Sequence, residues 1–377
     1  MRELQLREHI EAQIRQIESL SQSEKYVEAY LLSTTVIEAI GFYKRYWDLD
    51  FTSLFSRILA VQPEYQFMMV FTAELLYQQG HYVSASDLAA LAVRLENSGD
   101  FFNINYIRML RAADRLDQAR SECLRLLDLG PNEQNIMAEL AQCDAYGHFS
   151  DKDYYSVLHA VHAKYSPATY LEIGVAQGRS LALVGKQARA IGIDPDTAEQ
   201  GRMMYMSPEN CPLLFRTTSD DFFERADLPA LLEADTLAMA FLDGLHLFEQ
   251  TLRDFINVER FSGPETMVFI HDGLPVNRLV AERNRKTAFW VGDVWKIIPC
   301  LKEVRPDLEV ITFPVQPSGL TLIRGLDPKS RVFERQFDVI TSHFRGLELP
   351  EAWDERNCLL NITSQPPEQV LGLSELR

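Results

Sequence analysis

Apolar residues recur at helical spacing through roughly the first 150 residues, and few β-branched runs interrupt them. From about residue 165 the pattern changes to short apolar runs that alternate with amphipathic stretches of helix length. This change predicts an all-α domain over residues 1–150 and an α/β domain over residues 151–326. Residues 327–377 are predicted to add one helix and a tail, without recognisable chemistry.

The helical part contains an internal repeat with a step of 34 residues. Two sets of positions keep this step, namely Ala85 with Ala119, and Ala73 with Ile107 and Ala141. Pro63 and Pro131 lie two steps apart, and Gly80 falls where two paired helices would turn. The pattern resembles the tetratricopeptide repeat, in which stacked helix pairs share a core that one pair cannot bury alone. About two units are readable, and a helical bundle with a chance period is the alternative.

Seven apolar runs follow in the second half, with the sequences TYLEIGV, ARAIGID, LLFRTTS, LAMAFLDG, TMVFIHDG, LEVITFP and LTLIRG. Helix-length segments separate the first five, which favours parallel strands with crossover helices. The short turn VQPSG joins the last two runs, so these strands are expected to pair antiparallel. Such a Rossmann-like, seven-stranded sheet with a reversed last strand resembles the class I S-adenosylmethionine-dependent methyltransferase fold over roughly residues 165–326.

Composition and charge narrow the function classes. The 377 residues carry a net charge of −17, which disfavours a general nucleic-acid-binding surface because phosphates are repelled at long range. The five cysteines are odd in number and form no C-x-x-C pair, so a reducing compartment is expected. The charged N-terminal segment does not fit a signal peptide, and no apolar run is long enough to cross a bilayer. A cytoplasmic protein without membrane contact is therefore predicted.

A glycine motif follows the first predicted strand, in the stretch EIGVAQGRS. The dinucleotide-binding pattern G-x-G-x-x-G fails here, because Ala and Arg occupy its two later glycine positions. The spacing of Glu172, Gly174 and Gly178 resembles instead the first motif of the methyltransferases. That resemblance implies close backbone approach to S-adenosylmethionine, with Glu172 at the positively charged amino-acid end. Ser180 is expected to cap or orient the start of a following helix.

Acidic residues follow the next two predicted strands. Asp194 ends the second strand, where an acid can accept hydrogen bonds from ribose hydroxyls. The third run ends at Ser219 and Asp220, a position that commonly lies beside the adenine, whereas Asp221 is expected to cap a helix. Alone, each glycine would be a turn and each acid a solvated side chain. Together they lie on the carboxyl edge of one sheet, where open α/β folds bind ligands.

The candidate reactive residues follow the fourth and fifth strands. Asp243 and Asp272 end neighbouring strands, so their carboxylates should lie together beside the methyl group of the cofactor, where oxygen ligands suit Mg²⁺. The sequence D-G-x-H at Asp243–His246 and the segment GDVWK resemble the metal-dependent O-methyltransferases of sugars and natural products, including the macrolide-sugar, cephamycin and rhamnosyl methyltransferase group. The resemblance implies that the two acids hold the metal and that His246 is the general base.

One position departs from that family pattern. His271 stands where the relatives usually carry a carboxylate, and imidazole suits transition metals better than Mg²⁺. Three cases are open at this stage: Mg²⁺ held by two acids and waters, a softer metal that includes His271 as ligand, or no metal with His246 or His271 as base. Asp254, on the next predicted helix, is expected to be solvated or to act as a packing partner.

The insert after Asp272 contains a basic cluster in an acidic protein, made of Arg278, Arg283, Arg285 and Lys286, followed by Phe289 and Trp290. Such an insert is consistent with a substrate lid, and the positive charge suggests an anionic acceptor. A solvated charged loop is the alternative.

Three functions are compatible with these features. The best supported is an O-methyltransferase that acts on a hydroxyl of a sugar, glycan or natural product, with a helical domain that binds a partner or another copy of the chain. A protein methyltransferase whose repeats hold a peptide is the second. The third is a repeat-based binding protein with an inactive methyltransferase domain, which the intact cofactor acids argue against.

Overall fold

The computed structural model describes residues 2–61, 65–94, 99–130, 133–196 and 204–374. The chain divides into two compact units, Met1–Cys143 and Asp144–Arg377. Each unit is treated by itself below. The predicted domain boundaries at residues 150 and 326 stay predictions. Among the described residues, no helix is both long and apolar enough to span a membrane.

The first unit is built from helices joined by short turns. Its helices are α1 (Arg2–Gln22), α2 (Tyr26–Trp47), α3 (Phe55–Ala60), α4 (Tyr65–Gln78), α5 (Tyr82–Val93), α6 (Asp100–Ala112), α7 (Leu116–Leu129) and most of α8 (Glu133–His148), with a 3₁₀ turn at Thr52–Leu54. Helices α4 to α7 pack as successive neighbours. The prediction of an all-helical first part is confirmed.

The positions of the 34-residue step occupy equivalent sites in this unit. Helices α5 and α7 begin 34 residues apart, at Tyr82 and Leu116. The repeat positions in α4 to α8 are all buried, as the list Ala73, Ile107, Ala141, Ala85 and Ala119 shows. Gly80 turns the chain between α4 and α5 with a positive φ of 81°. Pro63 and Pro131 lie outside the described residues. A helical hairpin arrangement follows, whereas its assignment to the tetratricopeptide class stays a prediction.

The second unit contains a seven-stranded sheet. Its strands are β1 (Thr169–Ile173), β2 (Arg189–Ile193), β3 (Leu213–Phe215), β4 (Met239–Leu242), β5 (Met267–His271), β6 (Glu309–Phe313) and β7 (Leu320–Arg324). They lie in the order β3-β2-β1-β4-β5-β7-β6, with β1 to β5 parallel and β7 antiparallel to both neighbours. Every residue of β1, β4 and β5 is buried. The Rossmann-like sheet with a reversed last strand is confirmed.

Helices cover this sheet, although not after every strand. They are α9 (Tyr154–Tyr165), α10 (Ser219–Arg225), α11 (Leu228–Leu232), α12 (Phe248–Glu259) and α13 (Ile297–Val304), with a 3₁₀ turn at Val294–Lys296. Between β1 and β2 the structure contains only a 3₁₀ turn, Leu181–Leu183, so the crossover helix predicted there is wrong, whereas the segment between β2 and β3 lies partly outside the described residues. The order of strands reverses between β1 and β4, which places a ligand crevice at their carboxyl ends.

The C-terminal segment forms more structure than one helix and a tail. It contains α14 (Val332–Arg335), α15 (Phe337–Arg345), α16 (Trp353–Leu359) and α17 (Pro367–Val370). The buried guanidinium of Arg356 donates hydrogen bonds to the carbonyl oxygens of Pro275 and Val276, in the insert that follows β5. The single-helix prediction is therefore wrong. Short helices of four to nine residues have too few turns to show a clear period in the sequence.

Candidate active site

The carboxyl ends of β1 and β4 are pressed together at the first glycine of the motif. The backbone N–H of Asp243 donates to the carbonyl oxygen of Ile173, at 2.8 Å. Gly174 has a φ of +88°, and a Cβ at this position would lie 1.9 Å from the carbonyl oxygen of Asp243. Only glycine fits both conditions. The motif glycine thus allows the β1 loop and Asp243 to share one wall.

Glu172 lies inside the sheet, behind that loop. Its carboxylate is fully buried and accepts hydrogen bonds from the Tyr170 hydroxyl at 2.6 Å and the Ser180 hydroxyl at 2.7 Å. Burial raises the pKa of Glu172 to about 8, against the opposing effect of these two bonds. Ser180 therefore bonds Glu172 and does not cap a helix, which corrects the expectation for Ser180. Glu172 therefore lies beneath the loop and supports it through Ser180.

A cavity of about 240 Å³ opens at this sheet edge. It is lined by residues 174–177 of the β1 loop, Arg179, Ser180, Asp243, and Tyr154 and Tyr155 of α9. Asp194, which follows β2, uses its carboxylate to accept the backbone N–H groups of Ala176 and Asp196. Asp194 thus fixes the loop that forms one wall of the cavity. Its contact with a ribose stays a prediction.

The residues after β3 form a separate polar group. β3 ends at Phe215, so Ser219 and Asp220 belong to the first turn of α10 and not to the strand. Ser219 donates to Asp254 at 2.6 Å, and the side chain of Asp254 is almost fully buried. Asp254 is a packing partner and not a solvated residue, and its burial raises its pKa to about 6.

The cap of α10 also differs from the expectation. Thr218 accepts the N–H of Asp221, so Thr218 is the N-cap. The side chain of Asp221 accepts the hydroxyl of Thr218 in return, at 3.0 Å. Asp220 accepts from Gln250 and pairs with Arg253 at 3.3 Å. Its contact with an adenine stays a prediction.

The two strand-end acids and His246 meet in one cluster. His246 Nε2 lies 3.3 Å from Asp243 Oδ1, and His246 Nδ1 lies 3.1 Å from Asp272 Oδ2. One ligand atom from each residue can be chosen so that all lie within 4.8 Å of one another. Asp272 is buried, and among the described residues its Oδ2 accepts no well-aligned hydrogen bond, although the imidazole of His246 is close. Asp243 and Asp272 thus lie close together, as their positions at the ends of neighbouring strands predicted.

His271 lies beside this cluster with both ring nitrogens engaged. Nδ1 is 3.3 Å from Asp243 Oδ1, and Nε2 is 3.2 Å from the hydroxyl of Ser318, on the turn between β6 and β7. The same hydroxyl donates to Asp272 Oδ1 at 2.5 Å. The ring of His271 packs against Tyr154, with 4.0 Å between centroids. The candidate ligand set among the described residues is Asp243, His246 and Asp272, and does not include His271.

The segment Trp290–Asp293 surrounds His246. His246 Nδ1 lies 3.0 Å from the carbonyl oxygen of Trp290, and the two rings stack at 5.3 Å with an interplanar angle of 24°. Gly292 has a φ of +60°, and a Cβ there would lie 1.9 Å from the carbonyl oxygen of His246. The buried carboxylate of Asp293 accepts the N–H of Phe248, the first residue of α12. These contacts hold His246, whose own φ is +59°, in a conformation that few residues adopt.

Charge governs the protonation of this group. Burial opposes a charged imidazole at His246, but the carboxylates of Asp272 and Asp243 outweigh it and raise the pKa of His246 to about 9. Burial would raise the pKa of Asp243, but the neighbouring histidines, His271 first, lower it. Without another cation between the acids, His246 therefore carries a proton at neutral pH.

The basic side chains of the insert have partners within the protein. Arg283 pairs with Glu249 and Asp293 at 2.6 Å, and Lys286 pairs with Glu282 at 2.5 Å. Arg278 lies within 4 Å of Glu348 and Glu351, and Arg285 donates to the carbonyl oxygens of Thr287 and Ala288. All four basic side chains thus have internal partners. The expectation of an anionic acceptor, which depended on this charge, loses its support.

Several site residues were not found from the sequence. Tyr154 and Tyr155 line the cavity from a helix that precedes the sheet, and Ser318 reaches the acids from a turn about 45 residues later in the chain than Asp272. In the sequence, Arg179 stands out only because it breaks a glycine pattern. The segment GDVWK, which contains Asp293, is the local sequence feature that indicates this part of the site. The others share no local motif with the acids, because the tertiary fold alone brings them together.

Residues 171–273 match the sequence profile of a family described as "Methyltransferase domain". This segment runs from the middle of β1 to just past β5 and contains the glycine motif, Asp243, His246 and Asp272. The match supports S-adenosylmethionine-dependent methyl transfer as the activity of this segment. A search of curated proteins gave no match to the chain.

The matches among solved structures include O-methyltransferases. TomG of Streptomyces achromogenes, involved in tomaymycin synthesis and solved with SAM, is 17% identical, with 46% of this chain and 79% of TomG covered and a TM-score of 0.34. An O-methyltransferase of Bacillus cereus with SAH is 10% identical, with 63% and 97% covered and a TM-score of 0.34. An O-methyltransferase family protein of Burkholderia thailandensis is 14% identical, with 80% and 85% covered and a TM-score of 0.35.

The methyltransferase domain has groups that fit a divalent cation. The carboxylate atom Asp272 Oδ2 is buried, and a positive charge against it, such as that of His246 or of a cation, offsets the cost of its burial. Asp243 is a second carboxylate at the same place, and its pKa is lowered, so it stays ionised at neutral pH. Carboxylate oxygens such as those of Asp243 and Asp272 are donors that Mg²⁺ uses, whereas the additional imidazole of His246 also permits a softer metal.

Proposed function

We propose that the methyltransferase domain transfers the methyl group of S-adenosylmethionine to a hydroxyl oxygen of a sugar, glycan or natural product. One observation carries this proposal. Asp243 lines the cavity beside the glycine motif and also belongs to the cluster with His246 and Asp272. The donor-binding wall and a group that can activate a hydroxyl therefore share one side chain. An amine acceptor, in contrast, is nucleophilic once it is neutral and needs no group that activates a hydroxyl.

His246 is proposed as the general base. A carbonyl oxygen can only accept hydrogen bonds, so the contact of Nδ1 with Trp290 assigns the hydrogen to Nδ1 in the neutral imidazole. This assignment follows from the hydrogen-bond network and leaves Nε2 as the basic nitrogen. Nε2 faces Asp243 and is the atom that accepts the proton of the acceptor hydroxyl. General-base catalysis of this kind typically contributes about 10²- to 10⁴-fold in rate.

Asp243 and Asp272 are proposed to hold a divalent cation, with Mg²⁺ as the first choice. When bound, such a cation supplies charge that stabilises a developing alkoxide and neutralises the two acids beside His246. Ser318 orients Asp272 through a short hydrogen bond, and His271 orients Asp243. Trp290 covers one face of the His246 ring and keeps the base in place. Positioning of acceptor and donor in line supplies a further part of the rate.

The experiment that tests this function uses the full chain with isotopically labelled S-adenosylmethionine and a panel of sugars, polyketide glycosides, glycans and peptides. Labelled methyl groups should appear as ethers on hydroxyl-bearing acceptors, and the site of methylation is read by mass spectrometry and NMR. Transfer to peptide nitrogens alone, with no hydroxyl acceptor in any class, would contradict the proposal and favour the protein methyltransferase.

A further inference from the structure

We infer that Arg179 binds the carboxylate at the amino-acid end of the methyl donor, in a subsite that it forms with Tyr155 and Tyr205. This inference rests on the proposed function, because it places the donor in the cavity beside the glycine motif. It assigns a role to a residue that the sequence pattern presented only as a departure from a glycine motif. Glu172, the sequence-based candidate for the positively charged group of that end, is buried and does not line the cavity.

Arg179 is held between two aromatic rings. Its guanidinium carbon lies 4.7 Å from the ring centroid of Tyr205 and 5.6 Å from that of Tyr155. One of its nitrogens, Nη2, donates to the hydroxyl of Tyr205 at 2.6 Å. Tyr205 is fully buried, and its backbone N–H donates to the carbonyl oxygen of Gln177 in the β1 loop. The guanidinium plane is therefore fixed before any ligand arrives, which lowers the entropy cost of binding.

The position of Arg179 relative to the cavity decides what it can recognise. Arg179, Tyr155 and residues 174–177 line the same cavity, and Asp243 lies on its wall as well. Among the described lining residues, Arg179 supplies the positive charge and Asp243 the negative one. The amino-acid end of S-adenosylmethionine is a zwitterion with one carboxylate and one ammonium. Arg179 matches the carboxylate of that end, whereas Asp243 is already in contact with His246 and His271.

The chemistry of guanidinium favours the carboxylate as its partner. Five N–H groups in one plane allow an arginine to bond a tyrosine hydroxyl and a carboxylate at the same time, and the bond to a carboxylate is charge-assisted. The bond to Tyr205 uses one of these N–H groups, all of which point outward along the edge of the guanidinium plane. Glu172 lies outside the lining of the cavity and is bonded to Tyr170 and Ser180 within the sheet.

The test compares two ligands and four proteins by titration calorimetry. The ligands are S-adenosylhomocysteine and its analogue in which hydrogen replaces the α-carboxylate. The proteins are the wild type, Arg179→Gln, Tyr205→Phe, and the control Arg225→Gln, which alters an exposed arginine paired with Asp221 on α10. Thermal unfolding of each variant checks that it is folded.

We expect Arg179→Gln to weaken binding of S-adenosylhomocysteine by about 10- to 100-fold, the range for a lost hydrogen bond between charged groups. Binding of the analogue without a carboxylate should change less than about twofold. Tyr205→Phe should show a smaller loss with the same ligand preference, and it serves if Arg179→Gln does not fold. The control should leave both affinities unchanged.

Two results would overturn the inference, and they are distinguishable from failure of the proposed function. Equal losses for the two ligands, or no loss for either, would show that Arg179 does not bind the carboxylate. A wild-type protein that binds neither ligand would instead contradict the donor site, and the proposed function with it.

Discussion

The Nδ1 atom of His246 lies 3.0 Å from the carbonyl oxygen of Trp290, and the indole ring of Trp290 stacks on the imidazole. One residue of the insert thus sets both the tautomer and the orientation of the candidate base. The opposite nitrogen, Nε2, is directed to Asp243. The basic atom of the site is therefore defined by a backbone carbonyl 44 residues away in the sequence.

Replacement of Gly292 by alanine should displace His246. A Cβ at residue 292 would lie 1.9 Å from the carbonyl oxygen of His246, and the φ of +60° adds strain. A shift of about 1 Å in a catalytic group can cost about 10²-fold in rate, so kcat should fall by that order while donor binding is retained. Steady-state kinetics and calorimetry measure the two effects. Gly346→Ala is the matched control, because its Cβ would sit 3.5 Å from its nearest neighbour at ordinary φ.

Removal of Ser318's hydroxyl should loosen the acids. Ser318 donates to Asp272 and contacts His271, and it is fully buried. Ser318→Ala should lower the apparent affinity for the metal by about 10- to 100-fold, as expected for a residue that orients a metal ligand. The titration of activity with Mg²⁺ measures this change, and the exposed Ser342→Ala is the control. An unchanged metal titration would show that Ser318 has no such role.

Treatment with a chelator should abolish methyl transfer, and addition of Mg²⁺ should restore it. Asp272→Asn removes one carboxylate ligand and should raise the required cation concentration by more than the roughly 10- to 100-fold typical of an outer-shell change. The exposed Asp338→Asn serves as the control. Full activity in chelator would refute the cation at Asp243 and Asp272. Restoration by a transition metal, and not by Mg²⁺, would instead point to His246 as a ligand.

Acid should destabilise the fold partly through His162, which is remote in sequence from the reactive residues. Both ring nitrogens of His162 are buried without partners, and burial lowers its pKa from 6.5 to about 3. Below pH 6.5 His162 is protonated in the unfolded chain, whereas in the folded chain it stays neutral down to about pH 3. The free energy of unfolding therefore decreases progressively as the pH falls from 6.5 to about 3. His162→Phe should flatten the loss between pH 7 and 5 in denaturant titrations. An identical pH profile in the variant would contradict this account, with the exposed His343→Phe as control.

The sheet was predictable from the sequence, because its strands are short apolar runs that end at turns with polar residues. The pairing of Asp243 with Asp272 was predictable for the same reason, since neighbouring parallel strands end at the same edge. The helix period also revealed the first unit, with Ala85 and Ala119 at equivalent buried sites.

Other features depended on tertiary structure. Glu172 appeared as a ligand-binding acid, yet it is buried under the loop because its strand is covered on both faces. The basic insert suggested an anionic acceptor, yet Arg283 pairs with two acids. Glu249 lies on α12, well before the insert, and Asp293 follows the basic residues. Charge pairing across a fold leaves no local pattern, so neither outcome was open to sequence analysis. The same holds for Arg179, whose environment is made by Tyr155 and Tyr205.

The central claim is that His246 accepts the proton of an acceptor hydroxyl in a methyltransferase site. Its most direct test is the turnover number of His246→Ala at saturating S-adenosylmethionine, with the acceptor identified from the panel and with His81→Ala, an exposed histidine of the helical unit, as the control. We predict a fall in kcat of about 10²- to 10⁴-fold with donor affinity preserved. Wild-type turnover in His246→Ala would contradict the claim.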